Sequence, residues 1–333
     1  MPEIIRVHDL RKEFRRTKRA PGPLGGLRTL FTRQYETTRA VDGVSFSLDQ
    51  GELVGYLGRN GAGKSTTIKM LTGILTPTSG EVTVAGLVPW RDRQRNALNI
   101  GVVFGQRTQL WWDLPLIESL ELIGKMYRLD RATYRRSLAR FSELLELGPF
   151  LRTPVRQLSL GQRMRGDLAA AMLYSPRVLY LDEPTVGLDV VAKERIRGFI
   201  EQTNRADGTT IVLTTHDLRD VERLCRRIVL IEQGRVLFDG PVAELTARYA
   251  PGRVLVLHLE QETAGVELAG AELVKSEGPR YSLRFDPART PVAGLIAAAT
   301  ARYSVVDLAI EEPELEEVVR QIFEERLDGQ ASP

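Results

Sequence analysis

One glycine-rich segment, Gly58-Arg-Asn-Gly-Ala-Gly-Lys64-Ser65, has the residue types and the spacing needed to hold phosphate groups. Glycines let backbone N–H groups turn towards phosphate oxygens where a side chain would block the approach. The segment follows an apolar run, Leu53–Leu57, and precedes a helical pattern, so the free N–H groups of that helix point at the bound anion. Lys64 adds a positive charge opposite the phosphates, and the Ser65 hydroxyl is a ligand for magnesium. This arrangement predicts a nucleotide phosphate site.

A second element of phosphate chemistry lies about 120 residues further along the chain. The apolar run Val178–Leu181 is followed directly by two carboxylates, Asp182 and Glu183. In open α/β sheets this edge, at the carboxyl ends of the strands, binds the ligand. Asp182 is placed to hold magnesium through water, and Glu183 to accept a proton from the attacking water. An apolar strand that ends in Asp-Glu is common, but together with the glycine-rich segment it becomes specific.

The elements that must position these residues have the pattern of a mostly parallel, helix-covered α/β sheet over residues 4–240. Two further apolar runs, Thr210–Thr214 and Arg227–Ile231, read as buried central strands like the two already named. Between the strands, residues 107–175 have helical spacing and predict a helical insertion. Its predicted helices are Glu118–Tyr127, Ala132–Leu147 and Gly161–Leu173.

After Asp239-Gly-Pro241 the composition becomes acidic, and we predict that residues 241–333 form a separate small α+β domain. Its predicted strands are Val254–Leu259, Tyr281–Phe285 and Val305–Ile310. Near the N-terminus, residues 15–39 interrupt the alternation of strands and helices and are predicted to be an insertion. Apolar residues recur at helical spacing from Leu24 to Phe31, which predicts a short amphipathic helix within it. Packing on its own domain and contact with a membrane surface are both open for this helix.

Composition limits the possible classes of protein. The chain has 333 residues, 46 Lys+Arg, 43 Asp+Glu and 43% hydrophobic residues, which is the globular range and excludes a disordered chain. No apolar run approaches the ~18 residues that cross a bilayer, and the first residues lack a signal peptide's apolar stretch, so we expect a cytoplasmic protein. The single Cys225 excludes an internal disulfide, and only three histidines argue against structural zinc.

Charge is distributed unevenly along the chain. Residues 1–40 carry a net charge of +6, whereas residues 241–333 carry −7, with five glutamates within Glu311–Glu317. The basic front could meet the phosphates of a partner or be a solvated arm, and the sequence leaves both interpretations open.

Five more motifs lie along the chain, and the order of all the motifs resembles that in the nucleotide-binding subunit of an ABC transporter. Leu158-Ser-Leu-Gly-Gln162 resembles the signature LSGGQ, with Leu160 in place of its first glycine, and Gln106 stands at the Q-loop position. Gly187-Leu-Asp189 resembles the D-loop, and His216 the switch histidine. Phe14 stands where an aromatic residue stacks on adenine, with Tyr35 as the alternative.

The resemblance implies a P-loop NTPase (RecA-like) core with an ABC helical subdomain, and ATP and Mg²⁺ as ligands. Glu183, His216 and Gln106 would be catalytic, and Ser65, Gln106 and Asp182 would hold the metal. The implied nucleotide contacts are Phe14, Gly58, Asn60, Gly61, Ala62, Gly63, Lys64, Ser65, Thr66, Gln106, Ser159, Gly161, Gln162, Asp182 and Asp189.

The resemblance also implies partners. A second copy or a close paralogue would stack head to tail, so that Ser159 and Gly161 reach the γ-phosphate bound by the other chain. The sequence also predicts Ser159 as a helix cap. We expect Leu160 to alter rates rather than abolish binding. Separate transmembrane permease subunits would hold the protein at the cytoplasmic face of the membrane, and no nucleic acid is expected.

The acidic tail resembles that of drug, sodium and polysaccharide exporter ATPases, which indicates export. The alternative is a soluble ABC-type ATPase that acts on ribosomes or DNA; such proteins carry two nucleotide domains or a long coiled coil, and this sequence has neither. Trp111 and Trp112 read either as core of the helical insertion or as anchors in the groove for the transmembrane partner.

Overall fold

The computed structural model describes residues 2–17, 35–105, 107–249, 252–312 and 315–330. The chain divides into two compact units, residues 1–240 and 241–333. Within the described ranges, no helix is both long and apolar enough to cross a membrane.

In the described part of the chain, nine strands belong to the first unit. They are β1 Glu3–Thr17, β2 Tyr35–Asp49, β3 Leu53–Gly58, β4 Ser79–Val84, β5 Ile100–Phe104, β6 Val178–Asp182, β7 Thr210–Thr214, β8 Arg227–Glu232 and β9 Arg235–Pro241. Six of them form one sheet in the order β5-β6-β7-β3-β8-β9. The pairs β5–β6, β6–β7, β7–β3 and β3–β8 are parallel, which confirms the predicted α/β fold. The middle residues of these central strands are apolar and buried, as expected for a parallel sheet that is covered on both faces.

The first two strands differ from the prediction of alternating strands and helices from residue 4. β1 and β2 pair antiparallel from Glu3↔Asp49 to Thr17↔Tyr35, and with β4 they form a separate sheet in the order β2-β1-β4. Residues 15–17 and 35–39 of the predicted insertion continue these two strands. The predicted helix around Leu24–Phe31 lies outside the described residues. Buried Ile5 and Val7 alternate with exposed Arg6 and His8, the period of a strand buried on one face.

In the described ranges this unit has seven α-helices, besides two short 3₁₀ helices, Gly148–Phe150 and Val155–Gln157. The α-helices are α1 Lys64–Leu71, α2 Arg93–Ala97, α3 Leu116–Met126, α4 Arg131–Leu144, α5 Leu160–Met172, α6 Val190–Asp207 and α7 Leu218–Leu224. Residues 107–175 contain α3, α4 and α5, and no strand. The three predicted helices are therefore confirmed, with ends that shift by up to three residues.

The second unit, residues 241–333, is an antiparallel sheet with helices. Its elements are α8 Val242–Tyr249, β10 Arg253–Leu259, β11 Ala271–Glu277, β12 Arg280–Phe285, α9 Val292–Arg302, β13 Val305–Glu311 and α10 Leu315–Gln330. The sheet order is β11-β12-β10-β13, and its core includes Leu257, Tyr281 and Leu283. The sequence predicts three of the four strands. It misses β11 because this edge strand is mostly exposed and carries charged residues.

Candidate functional site

The glycine-rich loop begins at the carboxyl end of β3 and ends at α1. A Cβ atom on Gly58 would contact the carbonyl oxygen of Ile231, and one on Gly63 would contact the carbonyl oxygen of Ala40. Gly63 also has φ +104°, which L side chains rarely adopt. Both positions therefore require glycine, and the close packing holds the loop N–H groups in place.

Lys64 is the first residue of α1 and is only 7% exposed. Its Nζ donates hydrogen bonds to the carbonyl oxygens of Gly58 at 2.5 Å and Arg59 at 3.2 Å. Burial lowers the pKa of Lys64, and the nearby carboxylates of Glu183 and Asp182 oppose that shift. The ammonium of Lys64 is thus held against the glycine-rich loop, where it can attract the phosphate groups of a nucleotide.

Asp182, the last residue of β6, connects the glycine-rich loop with the next strand. One carboxylate oxygen accepts a hydrogen bond from Ser65 Oγ at 3.3 Å, and the other accepts one from Thr214 Oγ1 at 2.5 Å. The structure thus brings together two of the three predicted magnesium positions, Ser65 and Asp182. No sequence motif includes Thr214, and its place at the end of a strand on the same edge is the signal that indicates its role.

Glu183 and His216 form a close pair at this edge. His216 Nε2 lies 2.5 Å from Glu183 Oε1, and their side chains are 43% and 24% exposed. Glu183 has φ +57°, and its backbone N–H donates to the carbonyl oxygen of Thr214 at 2.9 Å. The N–H of Gly105 donates to the carbonyl oxygen of Asp182 at 2.7 Å. Gln106, the predicted Q-loop glutamine, lies outside the described residues.

Ser65, Asp182, Glu183 and His216 line one cleft of about 570 Å³. Its lining residues are Asn60, Ser65, Lys69, Ile74, Phe104, Gly105, Arg107, Asp182, Glu183, Val186 and His216. Within the described ranges, no group of three or more His, Cys, Asp or Glu residues is arranged to hold a metal ion by itself. Magnesium needs no such group, because it commonly takes one or two protein ligands with water and substrate phosphates.

The signature segment is built as the start of α5. Ser159 caps the helix: its Oγ accepts from the N–H of Gln162 at 3.2 Å, and the side chain of Gln162 accepts from the N–H of Ser159 at 2.9 Å. This reciprocal capping box confirms the predicted cap. Ser159, Gly161 and Gln162 do not line the cleft described above.

Replacing Ser159 with alanine should lower the free energy of unfolding by about 0.5–2 kcal/mol, because the N–H of Gln162 loses its acceptor. Thermal melting followed by circular dichroism measures the effect. Ser159→Asp keeps an acceptor at the cap and should retain most of the stability. Equal melting temperatures for all three proteins would contradict the capping role.

The D-loop residue Asp189 caps α6 by accepting a hydrogen bond from the N–H of Ala192 at 2.8 Å. The segment also packs on the signature: a Cβ atom on Gly187 would lie 3.1 Å from Leu160 Cδ2, and one on Gly161 would lie 3.2 Å from Ala192 Cβ. The two motifs therefore touch within one chain, although neither Asp189 nor Gly161 lines the cleft.

The predicted aromatic sites lie on the surface. Phe14 on β1 is 39% exposed, with Lys12 Nζ 5.4 Å from its ring centroid, and it does not line the cleft. The side chain of Tyr35, its alternative, lies outside the described part of the structure. Trp111 and Trp112 are 38% and 50% exposed, so the interpretation of these two residues as core is wrong.

A buried ion pair behind Glu183 escaped the sequence analysis. Arg197 on α6 pairs with Asp220 on α7, and the other oxygen of Asp220 accepts from Thr185 Oγ1 at 2.6 Å. Asp220 and Thr185 are almost fully buried. The network fixes the turn after Glu183 to two helices, and nothing in the sequence pattern indicates which residues meet there.

A glycine-rich loop between a buried strand and a helix, facing two carboxylates at the same sheet edge, defines a P-loop nucleotide-binding protein. The family model for the ABC transporter matches residues 41–186. The linearmycin resistance ATP-binding protein LnrL of Bacillus subtilis is 32% identical, over 85% of this chain and 93% of its own length. A Nod factor export ATP-binding protein of Ralstonia nicotianae is 36% identical over 69% and 73%.

A solved structure agrees with these relatives. A dimeric ATP-binding cassette in a post-hydrolysis state, bound to ADP and phosphate, superposes with a TM-score of 0.59 at 26% identity, covering 71% of this chain and 98% of that one. The chain belongs to the ATP-binding subunits of ABC transporters. It binds ATP and hydrolyses it.

Proposed function

We propose that this ATPase powers an exporter, coupled to separate transmembrane permease subunits at the cytoplasmic face of the membrane. The proposal rests on the cleft, in which Ser65 donates a hydrogen bond to Asp182 and His216 pairs with Glu183. The direction of transport rests on relatives whose names refer to resistance to linearmycin and to export of Nod factor. We further propose that residues 241–333 act as an accessory domain of such an exporter.

Phosphate binding is assigned to the glycine-rich loop and α1. The N–H groups from Gly58 to Thr66 surround the phosphates, and Lys64 supplies the opposite charge for the β- and γ-phosphates. The Lys64 ammonium, which now donates to the carbonyl oxygens of Gly58 and Arg59, would donate to phosphate oxygens instead when ATP binds. Phe14, exposed on β1, would offer its ring to adenine.

Magnesium would be held by Ser65 and Asp182, with Gln106 as a further ligand. The donor set fits the ion, because a hydroxyl and a carboxylate already lie together at the cleft. Bound there, the ion would neutralise charge on the β- and γ-phosphates. Thr214 holds the Asp182 carboxylate in place through its hydroxyl.

Glu183 is proposed as the general base. Its carboxylate lies in the cleft and takes the proton of the attacking water, while His216 holds that carboxylate at 2.5 Å. The buried pair of Arg197 and Asp220 stiffens the turn that carries Glu183. The base is therefore fixed before the nucleotide arrives, which lowers the cost of orienting it in the transition state.

The complete site is proposed to form between two chains. Ser159 and Gly161 lie outside the cleft of their own chain, at the N-terminus of α5, where the helix dipole favours an anion supplied by another subunit. Asp189 on the neighbouring loop would face the same junction. Exposed apolar side chains flank this region, Val186 at 44% and Val190 at 80%, as expected for a surface that a partner covers.

ATP turnover per chain should therefore rise with protein concentration, since two chains complete each site. A phosphate-release assay over a wide dilution series measures the turnover, and light scattering on the same samples measures the oligomeric state. Turnover that is constant across the series while scattering reports a monomer throughout would contradict the head-to-tail arrangement. A close paralogue could replace the second copy in the cell, and the same assay with the paralogue added would reveal it.

The exposed tryptophans are proposed to anchor the permease. Trp111 and Trp112 lie in the segment between β5 and α3, and the guanidinium of Arg163 stacks 5.3 Å from the Trp112 ring centroid. Tryptophan is enriched among the residues that dominate binding energy at interfaces.

A further inference from the structure

A buried carboxylate on α5 lies outside the cleft and has no role in the chemistry described above. Asp167 is 4% exposed, and its Oδ1 accepts hydrogen bonds from Thr108 Oγ1 at 2.9 Å and from the N–H of Gln109 at 3.0 Å. The Gln109 side chain returns a third bond, from Nε2 to the Asp167 carbonyl oxygen at 3.1 Å. Three hydrogen bonds thus join the signature helix to two residues that follow Gln106 in the chain.

Because Asp167 is buried, these hydrogen bonds offset the cost of removing its carboxylate from water. A buried carboxylate without partners is strongly unfavourable, so buried acids are almost always hydrogen-bonded. Burial raises the pKa of Asp167 to about 6, while the hydrogen bonds from Gln109 and Thr108 and the charge of Arg163 act in the opposite direction. In the carboxylate, and in the neutral acid with its proton on Oδ2, Oδ1 keeps two lone pairs for these two donors, so the contact does not depend on the charge.

The same face of α5 holds this segment at two more points. A Cβ atom on Gly166 would lie 2.8 Å from Leu116 Cδ1 and 3.0 Å from Leu110 Cδ1, so the helix backbone and the segment approach as closely as glycine allows. One turn earlier, Arg163 stacks on Trp112. Residues 163, 166 and 167 share one helix face because they are three and four positions apart.

We propose that Asp167 is a positioning residue that fixes residues 107–112 to α5, so that this segment and the signature at Ser159 move as one body. The inference rests on the proposed function, in which the cleft and the signature of one chain serve two different ATP sites. Nucleotide that displaces the segment beside one cleft then displaces the signature that completes the other site. Asp167 is the polar link in that path.

Asp167→Ala removes the acceptor, Asp167→Asn keeps one, and Asp130→Ala is the matched control. Asp130 caps α4 by accepting from the N–H groups of Ala132 and Thr133, both at 2.9 Å, so its loss also removes a carboxylate that binds two donors. Full-length proteins are assayed for kcat and KM with Mg-ATP. Hydrogen exchange of residues 107–112 and 159–165 is measured with and without Mg-ATP.

For Asp167→Ala we expect kcat to fall by about tenfold to hundredfold through misplacement of the signature, with KM within about threefold. Asp167→Asn should stay within about threefold of the parent in both constants, because it rescues the hydrogen bonds. Asp130→Ala should lose thermal stability without loss of kcat. In the parent, Mg-ATP should slow exchange in both segments, and in Asp167→Ala the response at residues 159–165 should vanish.

An unchanged kcat in Asp167→Ala, or an equal loss in Asp167→Asn, would overturn the proposal. So would a response at residues 159–165 that survives in Asp167→Ala. If the parent protein itself does not hydrolyse ATP, the proposed function is wrong, and the kinetic comparison says nothing about Asp167. The change in hydrogen exchange when Mg-ATP binds then decides whether Asp167 links residues 107–112 to residues 159–165.

Discussion

Replacement of Glu183 by glutamine is expected to slow ATP hydrolysis by roughly 10²–10⁴-fold, the usual contribution of a positioned general base. Glutamine has nearly the same shape and keeps one oxygen near His216, but it cannot accept the proton of the attacking water. ATP binding should survive, because Lys64, Ser65 and the loop N–H groups hold the phosphates without Glu183. The loss of one negative charge also reduces repulsion of the γ-phosphate, so the ATP-bound dimer should persist longer.

A phosphate-release assay and size-exclusion chromatography with and without Mg-ATP measure the two halves of this prediction. Glu81→Gln is the matched control, since Glu81 is exposed on β4 and does not line the cleft. It should behave like the parent in both measurements. Loss of ATP binding in Glu183→Gln would indicate a structural role for the carboxylate. Normal hydrolysis would place the base elsewhere, and His216 is then the next residue to replace.

Lys64→Ala is expected to weaken ATP binding by about tenfold to hundredfold, since a charged hydrogen bond contributes about 1.5–3 kcal/mol. Lys64 is 7% exposed, so water does not replace its ammonium easily. Its removal also takes away a positive charge that interacts with the carboxylates of Asp182 and Glu183, which adds repulsion to the incoming phosphates. Titration calorimetry with ATP in the presence of magnesium measures the change.

Lys125→Ala is the control for this change. Lys125 lies on α3, is 69% exposed and pairs with Glu121 on the same helix. Its removal changes the net charge of the protein as much as Lys64→Ala does, and we expect the ATP affinity to stay as in the parent. Equal affinity in the Lys64 variant would contradict the assignment of the loop as the phosphate site.

Much of the site can be predicted because its residues stand at the ends of recognisable strands. The apolar runs before Gly58, Asp182 and His216 predict parallel strands, and parallel strands deliver their carboxyl ends to one edge. The glycine spacing predicts the loop. A local pattern also predicts Ser159 as a helix cap, and the structure adds its reciprocal bond with Gln162, three residues further on.

The parts that escaped prediction depend on contacts between distant residues. Thr214 reaches Asp182, Asp220 reaches Arg197 and Asp167 reaches Thr108, and no local spacing indicates these pairs. The composition of residues 15–39 predicts an insertion, whereas residues 15–17 and 35–39 extend the long antiparallel pair of β1 and β2. In these cases tertiary packing decides what local propensity leaves open.

The left-handed backbone at Glu183 has a consequence for the stability of the protein. A residue with a Cβ atom at φ +57° loses about 1–3 kcal/mol relative to an ordinary conformation, and a glycine there would avoid most of that loss. The chain instead carries a carboxylate at this point. The free energy of unfolding is therefore lower than it would be with glycine at this position. The loss of stability arises at Glu183, the residue proposed as the general base. Selection for thermostability alone would tend to remove that residue, and with it the activity.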